Sequence, residues 1–210
     1  MPASPWPTSP WMDTPQRFGL VSRALHWGMA ALLFWQFTGM VLKVTIGRTA
    51  LTGFFVGTHS AMGTLLLTLV LLRGAWGLLN ARRRPMPDPG LLGRLATLGH
   101  LALYALMILV PSLALLRSYG SGRAFAPFGL PLFPGFEGGP ISWMTAPGNA
   151  AHGLLGWTLL TLIAGHVGMV VLHRFAWRDA VLDRMAGPLN PRTGTAADQH
   201  LTDLQGEPSR

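Results

Sequence analysis

The sequence of 210 residues contains no cysteine. Without thiols, the chain can form no disulfide, no thiolate zinc site, no iron–sulfur cluster and no thioether to a c-type haem. A metal or prosthetic group would therefore have to be held by histidine, methionine or carboxylate side chains.

Charged residues are also scarce. They make up 11% of the chain, against 50% for hydrophobic residues, whereas soluble domains average about 25% charged. The 16 Lys and Arg outnumber the 8 Asp and Glu, an excess that in a soluble protein would suggest a nucleic-acid partner. Here the arginines cluster between long apolar runs, which is typical of membrane topology. We therefore expect a lipid bilayer as the environment and no nucleic-acid partner.

Four apolar runs each reach the roughly 20 residues needed to cross a hydrocarbon core of about 30 Å. Backbone polar groups must be satisfied internally in lipid, and runs of this length satisfy them as helices. The fold class predicted is therefore all-α, an integral membrane four-helix bundle. The expected helices cover about residues 20–43, 51–78, 92–117 and 149–176.

The expected membrane domain spans residues 17–187. Residues 1–16 form an N-terminal extension that we expect to be disordered, and residues 188–210 form a polar tail. Twelve of the Lys and Arg residues fall on the side of the termini and of the second loop, and four fall on the opposite side. This bias predicts that both termini are cytoplasmic. The four on the other side are Lys43, Arg48, Arg117 and Arg123.

Six of the seven histidines lie within the four runs. With the termini inside, two of them fall in the outer half of the membrane and four in the inner half. His152 and His166 in the fourth run are fourteen residues apart, which is about 21 Å and close to four helical turns, so both face nearly the same way. The outer two are His59 and His152, and the inner four are His26, His100, His166 and His173.

A histidine inside a membrane needs a partner or a function. A haem iron takes two axial ligands, commonly imidazoles, so a haem between two helices matches one pair at each depth. Structural zinc needs four ligands close together, and a proton pathway would usually need buried Asp or Glu, yet all eight acids lie outside the runs. Gly63 and Gly156 each follow a candidate ligand by four residues, which would admit a flat macrocycle or allow close helix packing.

Four motifs carry a resemblance to a known family. They are RFGLVSRALHW in the first run, HSAMGTLLLTLVLLRGAWGL in the second, LGHLALYALMILVP in the third and HGLLGWTLLTLIAGHVGMVVLHRFAWRDAVLDRM in the fourth. In this order they resemble the bacterial cytochrome b561 family over about residues 17–187. The resemblance implies a four-helix inner-membrane protein that binds two b-type haems and exchanges electrons with quinone. At least one branch of the family oxidises superoxide at the periplasmic face and passes the electron to ubiquinone.

The resemblance also implies roles for individual residues. His26 and His166 would be the axial ligands of the iron in a cytoplasmic-side haem, and His59 and His152 those of a periplasmic-side haem. The other two histidines of the runs match family positions that are not iron ligands; we expect His173 in the headgroup region, and the role of His100 stays open. Arg23 and Arg73 could pair with haem propionates, although flanking charge is the reading that the sequence favours.

Three functions follow from these observations. The first is electron transfer across the inner membrane between quinone and a periplasmic-side donor or acceptor, with superoxide:ubiquinone oxidoreductase as the favoured enzymatic form. The alternative is a cytochrome b anchor subunit of a larger redox complex such as a hydrogenase or formate dehydrogenase. The third is a haem-free membrane protein whose histidines serve packing or transport. The sequence identifies no catalytic residue.

Overall fold

A computed structural model describes residues 9–85, 90–179 and 181–187. Over these residues the chain is helical and contains no β-strand, apart from an isolated bridge between Phe125 and Phe133, which confirms the all-α prediction. A single 3₁₀ turn lies in the loop before the last long helix, and a π-helical turn follows that helix. The helices are α1 (Leu20–Ile46), α2 (Ala50–Leu79), α3 (Leu91–Gly120), α4 (Ser142–Leu172) and α5 (Val181–Ala186).

The first four helices are long and apolar enough to cross a membrane. They contain 27 to 31 residues, which gives lengths of about 40–46 Å against a hydrocarbon core of about 30 Å. Their mean hydropathy lies between 1.5 and 2.0. Large apolar side chains such as Phe34 and Leu154 are more than two-thirds exposed on the bundle surface. A surface of this kind is stable in contact with lipid rather than with water.

A tight hairpin joins α1 to α2. Gly47 ends α1 with a positive φ of 73°, and Thr49 begins α2 with a capping box. The Thr52 amide donates to Thr49 Oγ1 at 3.2 Å, and the Thr49 amide donates to Thr52 Oγ1 at 2.8 Å. Because these bonds satisfy amides that the helix leaves free, the connection needs only residues 47–49.

The fourth helix begins at Ser142, seven residues before the predicted start at residue 149. Pro147, Gly148 and Asn149 resemble a loop in composition, but the packing between α3 and α4 keeps them helical. A Cβ on Gly148 would lie 2.8 Å from the Leu113 carbonyl oxygen, so the glycine allows the two backbones to approach closely. The helix then extends past Leu172 into a π-helical turn, His173–Trp177.

Helix α1 packs on α2, α2 on α3, and α3 on α4. All four helices contribute to one buried cluster in the middle of the bundle: Met29, Leu66, Val70, Leu103, Met107 and Leu159. The helices alternate in direction, so α1 begins and α4 ends at the same end of the bundle. We call this end the terminal end, and the end that carries the 47–49 and 121–141 connections the loop end.

The N-terminal segment packs on the terminal end. Asp13 is only 2% exposed; its Oδ1 accepts from the Gly19 amide at 2.8 Å, and its Oδ2 accepts from Arg84 Nε at 3.0 Å. The disorder expected for residues 1–16 therefore does not describe residues 9–16, because an ion pair that composition does not reveal holds them. Residues 1–8 and the tail 188–210 lie outside the described residues.

Arg23 also has a specific structural partner. Its guanidinium donates to the carbonyl oxygens of Met185 and Ala186 at the end of α5, at 3.0 and 2.5 Å. These carbonyls have no acceptor role within the helix, and a cation is favourable at a helix C-terminus. Arg23 thus ties α5 to α1 and is not simply a flanking charge.

The Asp13–Arg84 pair gives a stability prediction. Asp13→Ala removes a buried carboxylate that satisfies two donors, so it should destabilise the detergent-solubilised protein by roughly 2 kcal/mol. Size-exclusion chromatography of samples heated to increasing temperatures measures the unfolding temperature, and thereby the change in stability. Glu137→Ala, which removes the same charge at an exposed position, is the matched control. Equal unfolding temperatures for the two variants would contradict a structural role for the N-terminal segment.

Candidate functional site

Four histidines come together as two pairs inside the bundle. The ring centres of His59 on α2 and His152 on α4 are 6.1 Å apart. Those of His26 on α1 and His166 on α4 are 6.4 Å apart. The four predicted site residues are thus brought together two by two, and α4 contributes one histidine to each pair.

The pairs lie at different depths because of the spacing on α4. Leu159 is seven residues from both His152 and His166 and faces nearly the same way as both. It belongs to the buried cluster, so the apolar core separates the pairs, which are about 21 Å apart along the helix. We call His59 and His152 the loop pair, and His26 and His166 the terminal pair.

The ring separations match two ligands on opposite sides of one metal ion. With metal–nitrogen bonds of about 2.0–2.1 Å and about 1.1 Å from ring centre to nitrogen, such imidazoles have centres about 6.3 Å apart. Both pairs come within a few tenths of an ångström of this distance. In the described ranges, no three His, Asp or Glu side chains form a metal-binding group. The donor set therefore suits a group that takes two protein ligands, as a haem does.

The loop pair is oriented by its surroundings. His152 Nδ1 lies 3.1 Å from the Val110 carbonyl oxygen. A carbonyl only accepts, so this nitrogen carries the proton and Nε2 keeps a free lone pair, the usual arrangement of a metal-binding histidine. Gln36, buried on α1, donates to the backbone carbonyl of His59 at 3.0 Å. His59 Nδ1 is buried and has no partner among the described residues.

A cavity of about 910 Å³ surrounds the loop pair, a volume typical of cofactor sites. Gly63, Gly153 and Gly156 line it together with apolar side chains such as Phe37. A Cβ on Gly156 would meet no atom of the described residues within 4 Å, so this glycine does not serve close helix packing. A Cβ on Gly63 would lie 3.1 Å from Gln36 Nε2, so this glycine does fit closely against α1.

The lining of the same cavity is positively charged. Lys43, Arg117 and Arg123 line it together with the polar residues Ser118 and Asn149. No Asp or Glu of the described chain belongs to the lining. Cations without nearby carboxylates create a positive potential that attracts anions.

The terminal pair has a third histidine beside it. The ring centre of His100 on α3 is 5.2 Å from that of His166, about one ångström shorter than two ligands on opposite sides of one metal would require. His100 Nδ1 bonds to the Ala96 carbonyl of its own helix at 2.6 Å. The distances therefore favour His26 over His100 as the partner of His166, a choice that depth alone leaves open.

Arg73 lies inside the bundle near the terminal pair. It is 8% exposed; its Nε donates to the Tyr104 hydroxyl at 2.8 Å, and its Nη1 donates to the Ser22 carbonyl. The interpretation of Arg73 as a flanking charge is therefore wrong. A signal was present in the sequence, because His59, Leu66 and Arg73 follow one another at seven-residue intervals and so share a face of α2.

His173 has a local role where the chain leaves α4. Its Nδ1 bonds to Asp179 Oδ2 at 2.5 Å, and its ring meets Trp177 edge-on at 4.5 Å. The hydrogen bond from His173 is the main reason that the pKa of Asp179 lies below its usual value. His173 thus closes the π-helical turn, and its expected position in the headgroup region stays a prediction.

Comparisons with known proteins identify the family of the chain. A family profile described as prokaryotic cytochrome b561 matches residues 17–188. A curated relative, cytochrome b561 homolog 2 from Escherichia coli (strain K12), is 29% identical over 182 residues, which cover 83% of this chain and 94% of that protein. With its four long apolar helices, the chain is therefore a membrane electron-transfer protein that belongs to the prokaryotic cytochrome b561 family.

Proposed function

We propose that the protein is a di-haem b-type cytochrome that carries electrons across the bacterial inner membrane, with both termini in the cytoplasm. The terminal pair, His26 and His166, would hold one haem iron, and the loop pair, His59 and His152, the other. The ring separations of 6.4 and 6.1 Å carry this proposal. Each bound haem supplies a one-electron carrier at its own depth.

The residues around the loop pair determine how a cofactor would be held. The Val110 carbonyl fixes the tautomer of His152, and Gln36 holds the backbone of His59. The free space beside Gly156 leaves room for a flat ring against α4. Such fixed surroundings set the orientation of the ligands and the solvent access of the iron, and thereby the reduction potential.

The charge at the loop end supports a more specific form, a superoxide:ubiquinone oxidoreductase. Superoxide is a small anion, and Lys43, Arg117 and Arg123 would attract it towards the cavity. Each superoxide gives up one electron and leaves as O₂. Two such electrons and two protons reduce one ubiquinone to ubiquinol, so the reaction needs no other oxidant.

Histidine substitutions test the ligand pairing. His59→Ala and His152→Ala should each lose one haem, and the same one, because both would ligate a single iron. His26→Ala and His166→Ala should each lose the other. Pyridine haemochrome quantification gives haem per chain, and reduced-minus-oxidised spectra identify which haem remains.

Two further histidines provide matched controls. His173→Ala should keep both haems, because His173 bonds to Asp179. His100→Ala should also keep both haems, because the His100 ring is too close to that of His166 for the two to ligate opposite sides of one iron. If His100→Ala and His166→Ala lose the same haem while His26→Ala keeps it, the proposed terminal pair is wrong. The partner of His166 would then be His100.

The superoxide activity should depend on the cationic cavity. Lys43→Gln and Arg117→Gln should each slow haem reduction by superoxide several-fold at low ionic strength, since steering by charge contributes about 10- to 1,000-fold to association rates. Added salt should narrow the difference from the wild type, because it screens the attraction. Stopped-flow absorbance at the haem bands measures the rate. The control is Arg94→Gln, which removes an exposed arginine at the terminal end. Equal rates of haem reduction in all variants and the wild type would exclude steering by Lys43 and Arg117.

A second function is that of an anchor subunit for a larger redox complex. It is favoured by the exposed apolar side chains of the 121–141 connection, Phe128 and Leu130, which are 58% and 71% exposed at the loop end. An outer partner that supplies the electrons could bind there. This function predicts that affinity purification in mild detergent yields a redox subunit at fixed stoichiometry. Purification of the chain alone, with full superoxide-driven quinone reduction, would exclude it.

A further inference from the structure

Arg73 is a buried cation within a membrane-spanning helix. A charged group in this position is costly unless other groups compensate it. Its two hydrogen-bonding partners, the Ser22 carbonyl and the Tyr104 hydroxyl, are both neutral. The ion pairs seen in the described ranges involve Asp13 and Asp179, and neither includes Arg73. The guanidinium is therefore solvated by neutral dipoles, and its positive charge remains available to an anion.

Arg73 lies at the depth of the terminal pair. His26 is six residues from the start of α1 at Leu20, Arg73 is six residues from the end of α2 at Leu79, and His166 is six residues from the end of α4 at Leu172. Each therefore lies about 9 Å from the terminal end of its helix.

The hydrogen bonds of Arg73 connect the helices that surround His166. Ser22 is four residues before His26 on α1, and Tyr104 is four residues after His100 on α3, so each partner shares a helix face with a histidine of this layer. Trp76 Nε1 donates to Ser22 Oγ at 3.1 Å and reinforces the link to α1. Arg73 thus holds α1 and α3 together on the side where their histidines approach α4.

We propose that Arg73 is the positioning residue of the terminal site, fixing α1 and α3 around His166 and supplying the positive charge that raises the reduction potential of the group held there. The inference rests on the proposed haem ligation by His26 and His166. A haem carries two propionate carboxylates, and arginine is well suited to pair with carboxylates. A fixed cation also favours the form that has gained an electron, since net charge near the iron is one determinant of its potential.

The test is a spectroelectrochemical titration of the purified wild type and variants, with haem per chain measured on the same samples. Arg73→Gln should lower the midpoint of the terminal haem and leave that of the other haem unchanged. A tenfold change in the ratio of reduced to oxidised haem corresponds to about 59 mV, and we expect a change of at least this size. Arg73→Lys should restore much of the midpoint, because it returns the charge without the two-armed bridge. Arg94→Gln is the control and should shift neither midpoint.

Tyr104→Phe provides an independent readout if Arg73→Gln does not accumulate. This variant keeps the charge of Arg73 and removes the hydroxyl that accepts a hydrogen bond from Arg73 Nε. The midpoint of the terminal haem should therefore shift in the same direction as in Arg73→Gln, but by less. If Arg73→Gln binds two haems with unchanged midpoints, the proposed role of Arg73 is wrong, but the proposed haem ligation stands. The same conclusion follows from Tyr104→Phe if only that variant can be purified. A shift confined to the other haem would overturn the role of Arg73 as well. Wild-type protein without haem would instead overturn the proposed function on which the inference depends.

Discussion

A polar side chain inside a bilayer has to be satisfied by another group of the protein, and most of the interior of this bundle follows from that constraint. Water is not available to accept or donate the missing hydrogen bonds. Gln36 therefore bonds to the backbone of a neighbouring helix, and Arg73 bridges two others. Gln36 Oε1 and His59 Nδ1 are buried without a hydrogen-bond partner among the described residues, so the protein's own groups satisfy the surroundings of the loop pair incompletely. The ring centres of the paired histidines are 6.1 and 6.4 Å apart, which leaves room for a metal between the two rings of each pair.

Helix α4 organises both histidine pairs. Its two histidines and the leucine between them lie on one stripe at seven-residue intervals, so one straight helix sets both the depth and the direction of the sites. Helix α2 follows the same interval, with a histidine at the loop end, a core leucine in the middle and Arg73 at the terminal end. The two helices thus have matching central leucines but different terminal residues, which makes the terminal site asymmetric. That site receives its second histidine from α1 and a positive charge from α2.

Hydropathy alone was sufficient to predict the four spans and the all-α fold, because twenty apolar residues in succession have few other stable arrangements. The features that differed from expectation depend on contacts between distant parts of the chain. The early start of α4 depends on Gly148 meeting α3, the ordering of residues 9–16 depends on Asp13 meeting Arg84, and the burial of Arg73 depends on Ser22 and Tyr104. In each case composition indicates a loop, a disordered end or a flanking charge, and a tertiary contact changes the outcome. The histidine pairing came from a family resemblance; the distances support it, and it stays a prediction.

The use of one helix for both sites also restricts how this sequence can change over evolutionary time. Substitutions between His152 and His166 leave the interval between the two histidines unchanged, but a single inserted residue would rotate one histidine by about 100° relative to the other. Even an insertion of seven residues, which nearly restores the direction, would move the two sites about 10 Å further apart in depth. The fourteen-residue interval of α4 should therefore resist insertion and deletion far more strongly than its amino-acid composition resists substitution. The 121–141 connection, which carries none of the four paired histidines, is free of that restriction.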